Sequence, residues 1–208
     1  REDMEPGDFV IIDQFIDRTF LREKSFFGPG CVAHVSLAKP TCSRLGEICQ
    51  KAASNQGIKV HLGGTYLAME GPQFSTLAES KLYKDIWGCD VIGMTNMPEA
   101  KLAREAEICY TSVAMITDYD SWHPDHGEVD IVNIIKTLRC NAENAKKLIT
   151  YLPELLTSKR SACINGCDKA LEFAVLTQPS VRNPEMVAKL DAVAGRILNN
   201  LQEVNNGK

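Results

Sequence analysis

The chain has 208 residues, with 23 Lys and Arg against 27 Asp and Glu, for a net charge of −4. Hydrophobic residues make up 44% and charged residues 24%, which excludes a mainly disordered chain and fits one globular domain. The acidic balance, without a basic stripe, argues against nucleic acid and against an anionic membrane surface as partner, and no apolar run reaches the ~18–20 residues of a spanning helix.

The opening R-E-D-M-E-P-G-D is acidic and polar, unlike a signal peptide. Beginning in mid-stride at Arg1, the sequence reads as a piece of a larger protein. A first strand is expected at residues 9–12 and a second at 32–36. A helix over 42–55 ends before Gly57, a fitting residue for a helix C-terminus. A long strand follows at 59–69. The helix over 76–87 opens with Thr76 and Glu79, the spacing of a capping box. A strand at 90–94 leads to a helix over 99–107 behind Pro98, then a strand at 108–116. Residues 131–152 carry a helical apolar stripe that includes Ile131, Ile134, Leu138, Ala145 and Leu148, with Pro153 as the stop. A last helix over 183–201, capped by Asn183, belongs to a helical extension running from residue 179 to the end. Strands alternating with helices predict an α/β domain with a parallel or mixed sheet. Ligands then bind in the loops beyond the carboxyl ends of the strands.

Eight cysteines are scattered along the chain. Several sit in apolar runs, where a free thiol behaves as a small hydrophobe, so reduced cysteines in a cytoplasmic protein are expected. Cys163 and Cys167 have no His and no second pair near them at zinc spacing, so no metal site is expected, and a disulfide between these two stays open. His123-Pro124-Asp125-His126 matches no usual metal spacing and reads as a solvated loop.

Three segments could carry chemistry. Residues 64–76, G-T-Y-L-A-M-E-G-P-Q-F-S-T, feed a loop into a helix N-terminus, where backbone amides suit an anionic or polar ligand. Phe74 there is either a stacking face for a flat ring or a core aromatic. Residues 93–99, G-M-T-N-M-P-E, bring Met94 and Thr95 to a loop, and Thr95 is either a phosphate ligand or a residue near a helix cap. In residues 117–122, T-D-Y-D-S-W, Asp118 and Asp120 project to one face if the strand continues. They form either an acidic turn or a carboxylate pair with divided roles, one protonated and donating, the other ionised and accepting.

In order, these three runs, with P-G-D-F-V-I-I-D-Q-F-I-D-R-T at residues 6–19, resemble the trimeric nucleoside phosphorylases. The match spans about residues 6–176. Within the family it is most similar to the branch that uses 5′-methylthioadenosine. The resemblance implies a mixed β-sheet or barrel core flanked by helices. It implies phosphate attack on the anomeric carbon while a purine leaves, with no cofactor beyond phosphate as co-substrate. Asp118 would protonate the leaving base at N7, and burial near an apolar ring would raise its pKa to suit a general acid. Relatives that use 6-oxopurines place Asn at this position, so Asp118 points to adenine. Asp120 would recognise the exocyclic amino group and Phe74 would pack on the purine. Met94 would lie under the ribose and Thr95 would hold phosphate. His34 would reach the 5′ end of a neighbouring subunit's substrate in a homotrimer. Ile131, Ile134 and Leu176 would line an apolar 5′ pocket, which welcomes a methylthio group and cannot satisfy a hydroxyl. A purine nucleoside phosphorylase of broader or 6-oxopurine preference, and a non-catalytic nucleoside-binding piece, are the alternatives. The family also carries an N-terminal part with most of the phosphate ligands, so that part is expected to be missing here or to sit on a separate chain. An open sheet edge and little activity are expected of these residues alone.

Overall fold

The computed structural model describes residues 1–123, 131–156 and 162–206. Its strands are β1 (Phe9–Ile12), β2 (Gln14–Arg18), β3 (Val60–Leu62), β4 (Thr65–Met69), β5 (Val91–Gly93) and β6 (Ser112–Met115). Its helices are α1 (Ser43–Asn55), α2 (Leu77–Lys81, continued by a wider turn over Leu82–Ile86), α3 (Glu99–Glu105), α4 (Ile131–Leu155) and α5 (Pro184–Asn206).

The strands form two three-stranded sheets. One has the order β3-β1-β6, with β1 parallel to β3 and antiparallel to β6, and the other has the parallel order β2-β4-β5. The sheet content is mixed, as expected, but among the described residues no closed barrel forms, and β3 and β6 are open edges. β1 is buried along its whole length because both its faces are covered. Val10 and Ile12 meet Tyr66, Ala68 and Met97 between the sheets, while Phe9 meets Ala52 and Ala53 of α1 and Leu148 of α4. Such two-sided burial produces a continuous apolar run rather than an alternating one.

The strand expected over 59–69 is two strands. Gly63 takes φ +83°, and the Gly64 amide donates to Asp13 Oδ1 at 3.0 Å, so the chain leaves one sheet and enters the other. β1 and β2 change sheets at the same level, with Asp13 between them and its amide donating to the Gly64 carbonyl at 3.3 Å. Residues 32–36 are not a strand. Their pairing is one bridge, Ala33 to Val175, because the partner segment is as short. The strand expected at 108–116 begins only at Ser112. Glu107 at φ +55° ends α3, and the Ile108 amide donates back to the Ala103 carbonyl at 2.9 Å. Pro153 does not stop α4, which runs on to Leu155. It falls in the last turn, where a single intrahelical bond is lost.

The C-terminal helix packs on its own chain. Leu190, Ala194 and Leu198 of α5 bury against Phe27, Cys31 and Leu171. Asn183 Oδ1 accepts from the Glu185 and Met186 amides, as a helix cap does. Arg196 grips Glu107 at 2.6 and 2.7 Å, fixing α5 to the end of α3.

Candidate functional site

Three strands end around one cavity of ≈ 460 Å³. β4 leads to residues 70–76, β5 to residues 94–98, and β6 to residues 117–123. Phe74, Met94, Thr95, Asp118 and Asp120 all line this space.

The β5 loop is held from beneath. Tyr66 on β4 directs its hydroxyl at Gly93, where a Cβ would stand 2.0 Å from that oxygen, so only glycine fits. The same hydroxyl lies 3.1 Å from Thr95 Oγ1 and accepts from the Thr95 amide at 3.3 Å. Asn96 follows at φ +70°, and its Oδ1 accepts from the hydroxyls of Tyr110 and Ser112, both at 2.8 Å. Asn is among the few side chains that enter the left-handed region readily. These contacts present Thr95, which is exposed to the cavity and is not a helix cap; α3 starts behind Pro98.

The β6 loop is fastened at several points. Asn141, fully buried on α4, donates to the Ile116 carbonyl at 2.9 Å. The Tyr119 hydroxyl donates to the Glu2 carbonyl at 2.9 Å, and the Ser121 hydroxyl to the Ser75 carbonyl at 3.1 Å. Lys84 Nζ sits 3.3 Å over the Trp122 ring, a cation–π contact. Asp120 Oδ2 accepts from Ser80 Oγ of α2 at 2.6 Å and Asp120 Oδ1 from Ser121 Oγ at 3.4 Å. The Asp118 carboxylate accepts from Thr117 at 3.2 Å and is exposed. The burial expected around Asp118 is therefore absent from this chain's own packing.

Phe74 is 80% exposed at the cavity mouth, which removes the core-aromatic reading. The start of α2, where an anionic or polar ligand is one of the two readings, has two of its amides already engaged. The Thr76 side chain accepts from the Glu79 amide, and the Glu79 carboxylate accepts from the Thr76 amide at 2.8 Å. The capping box thus occupies that end with a carboxylate of its own.

Other expected site residues stand elsewhere. His34 and Leu176 are neighbours on a second surface, where the His34 amide donates to the Ala174 carbonyl and the Leu176 amide to the Val32 carbonyl. Neither lines the cavity, because the segments that carry them pair with each other beside α5. Ile134 is half-buried on α4 and also stands outside the lining. Ile131 begins α4, and its side chain lies outside the described residues, as do residues 124–126 of the H-P-D-H run.

Tyr66, Asn96 and Ser80 are the residues that sequence reasoning missed. All three lie in or beside the quoted motifs, and the signal for Asn96 was an Asn between a strand and an X-Pro turn.

The sequence profile of the phosphorylase superfamily matches residues 1–152. The chain belongs to the phosphorylase superfamily. An S-methyl-5′-thioadenosine phosphorylase of Cereibacter sphaeroides is 69% identical over 198 residues, covering 95% of this chain and 68% of that protein. One from Bradyrhizobium diazoefficiens is 57% identical over the same shares of each chain. A crystal structure of a methylthioadenosine phosphorylase from an antarctic soil metagenomic library superposes with a TM-score of 0.86 at 43% identity. It covers 93% of this chain and 67% of that one. A Schistosoma mansoni methylthioadenosine phosphorylase in complex with adenine gives a TM-score of 0.77 at 29% identity, covering 85% of this phosphorylase-superfamily chain and 69% of that one.

Outside the cavity, the sulfurs of Cys42, Cys109, Cys163 and Cys167 lie within 4.8 Å of one another, a group that linear spacing does not reveal. Among the described residues no helix is long and apolar enough to cross a membrane.

Proposed function

We propose that this phosphorylase-superfamily chain carries out phosphorolysis of 5′-methylthioadenosine to adenine and 5-methylthioribose 1-phosphate. The observation that carries the reading is the convergence of Phe74, Met94, Thr95, Asp118 and Asp120 on one cavity at the ends of β4, β5 and β6. Relatives of that name at up to 69% identity support it.

Phosphate oxygen attacks the anomeric carbon as the bond from that carbon to the purine breaks. The bonding pair leaves with the base. A proton delivered to N7 makes that departure possible, and protonated Asp118 is its source. Asp120, held by Ser80, accepts from the exocyclic amino group of adenine. Phe74 covers the ring, and its seating drives water from Asp118, which strengthens the hydrogen bond that Asp118 makes. Met94 packs under the ribose and Thr95 contributes its hydroxyl to the phosphate. No organic cofactor and no metal enters the bond-making step.

The working form in this reading is a cytoplasmic homotrimer. Exposed His34, with Phe173 at 91% and Leu176 at 62% exposure beside it, supports contact with a neighbouring subunit's 5′ pocket. Ile131 supplies the apolar wall for the methylthio group. The test compares kcat/KM for 5′-methylthioadenosine, adenosine and inosine in the parent protein and in Ile131→His. The parent prefers 5′-methylthioadenosine, and Ile131→His shifts the ratio towards adenosine. A preference for inosine would overturn the adenine assignment. An unchanged ratio would remove Ile131 from the pocket.

A further inference from the structure

Four thiols from three separate parts of the chain meet at the start of α1. Cys42 immediately precedes α1, Cys109 precedes β6, and Cys163 and Cys167 sit on the loop that leads from α4 towards α5. Cys42, Cys163 and Cys167 are buried and Cys109 is half-buried. All eight cysteines of the chain are thiols, and only these four form a group among the described residues.

The geometry fits one tetrahedral metal. Zn–S bonds of about 2.3 Å place tetrahedral sulfurs about 3.8 Å apart. Cys42 and Cys163 stand 3.7 Å apart, and all four sulfurs fit within 4.8 Å. A disulfide needs sulfurs near 2.05 Å. Cys163 and Cys167 have the C-x-x-x-C spacing of a ligand pair on one turn. Gly166 makes that turn at φ +64°, with its amide donating to the Cys163 carbonyl at 2.9 Å.

The surroundings are built to hold the loops and balance negative charge. Asn165 Nδ2 donates to the Thr41 carbonyl at 2.9 Å, tying the 163–167 loop to the residue before Cys42. Arg104, 5% exposed, donates to the Asn165 carbonyl at 3.4 Å and to the Lys39 carbonyl. Its guanidinium places a positive charge beside the sulfurs, and the N-terminus of α1 adds the positive end of a helix dipole at Cys42.

We propose that Cys42, Cys109, Cys163 and Cys167 bind one zinc ion through four thiolates. Binding releases four protons, one from each thiol, and leaves a tetrathiolate site of charge −2 with no change of oxidation state. A sulfur-only tetrahedral donor set selects zinc over harder cations. The ion is structural, since four protein ligands close its coordination sphere. It joins α1 and the lead into β6 to the loop ahead of α5, and so fixes the C-terminal segment carrying Leu176 to the strands that build the cavity.

The test uses the full chain produced with zinc supplied and purified under reducing conditions without chelator. Metal analysis and native mass give one zinc per chain. Exchange with Co²⁺ gives the visible bands and the sulfur-to-metal charge-transfer absorption of a tetrahedral tetrathiolate. Cys163→Ser weakens zinc binding ~10-fold or more, whereas Cys49→Ser and Cys140→Ser keep one equivalent. Zinc-free protein that stays folded, takes up no Co²⁺ under reducing conditions and has four reactive cluster thiols overturns the proposal. So does a native mass showing the four cysteines joined as two disulfides. The Co²⁺ spectrum is read on the unsubstituted chain, so a serine variant that fails to fold does not blunt the test.

Discussion

Asp118 and Asp120 share a short loop but stand in different surroundings. Asp120 is half-buried and accepts from two serine hydroxyls, whereas Asp118 is exposed and accepts from its neighbour Thr117. Two hydroxyl donors suit Asp120 to an accepting role, and in the proposed mechanism Asp118 is the carboxyl that carries the proton. Asp118→Asn therefore lowers turnover of adenine nucleosides by ~10²–10⁴, the scale of lost general-acid catalysis. Steady-state kinetics with near-parental turnover would contradict the role. Gly93 is the other position where one atom decides the site. A Cβ there stands 2.0 Å from the Tyr66 oxygen and 2.8 Å from its ring carbon. Gly93→Ala costs about 1–3 kcal/mol through overpacking, read by denaturant unfolding. It also displaces the hydroxyl paired with Thr95, so KM for phosphate rises more than KM for the nucleoside. An unchanged phosphate KM would take the Tyr66–Thr95 pair out of phosphate binding.

At the scale of elements, apolar runs and caps were legible and changes of direction were not. The four apolar residues of β1 are a strand, Thr76 and Glu79 form the capping box, and Asn183 caps α5. β2 escaped because a single residue, Asp13, separates it from β1, leaving no turn to mark a boundary. The site motifs named residues that the structure brings to one cavity, but not their burial, because exposure of Asp118 and Phe74 depends on loop paths fixed by Tyr119, Ser121 and Asn141. The sulfur group was invisible for the same reason: its members come together only through the packing of α1, the lead into β6 and the loop after α4. Another element-scale contact makes the fold acid-sensitive. Asp17 of β2 accepts from Lys101 of α3 at 2.5 Å, from the Thr19 hydroxyl at 2.6 Å and from Lys24 at 2.9 Å. Burial alone pushes this carboxyl up, but those hydrogen bonds outweigh it and hold the pKa well below the usual carboxylate range. Its contribution is complete above the unfolded pKa of ~3.9 and is lost as pH falls through the lower folded value. Asp17→Asn is less stable at neutral pH, and the difference from the parent narrows below pH ~4. Urea unfolding at both pH values checks this, and a constant difference would mean that Asp17 does not titrate with folding.

At the scale of the molecule, two sheets and their helices present the loops after β4, β5 and β6 to one cavity, while α5 and the 31–35 segment build a separate apolar cluster. The family profile covers residues 1–152, which include the three cavity loops and the 31–35 segment but not α5. The cavity is the place where a purine, a sugar and a phosphate would meet, and phosphorolysis differs from hydrolysis in which nucleophile the sugar finally carries. The decisive measurement is adenine release from 5′-methylthioadenosine with and without phosphate, with the sugar product identified by mass. The account predicts release that requires phosphate and yields 5-methylthioribose 1-phosphate. Equal release without phosphate, giving the free sugar, would contradict it.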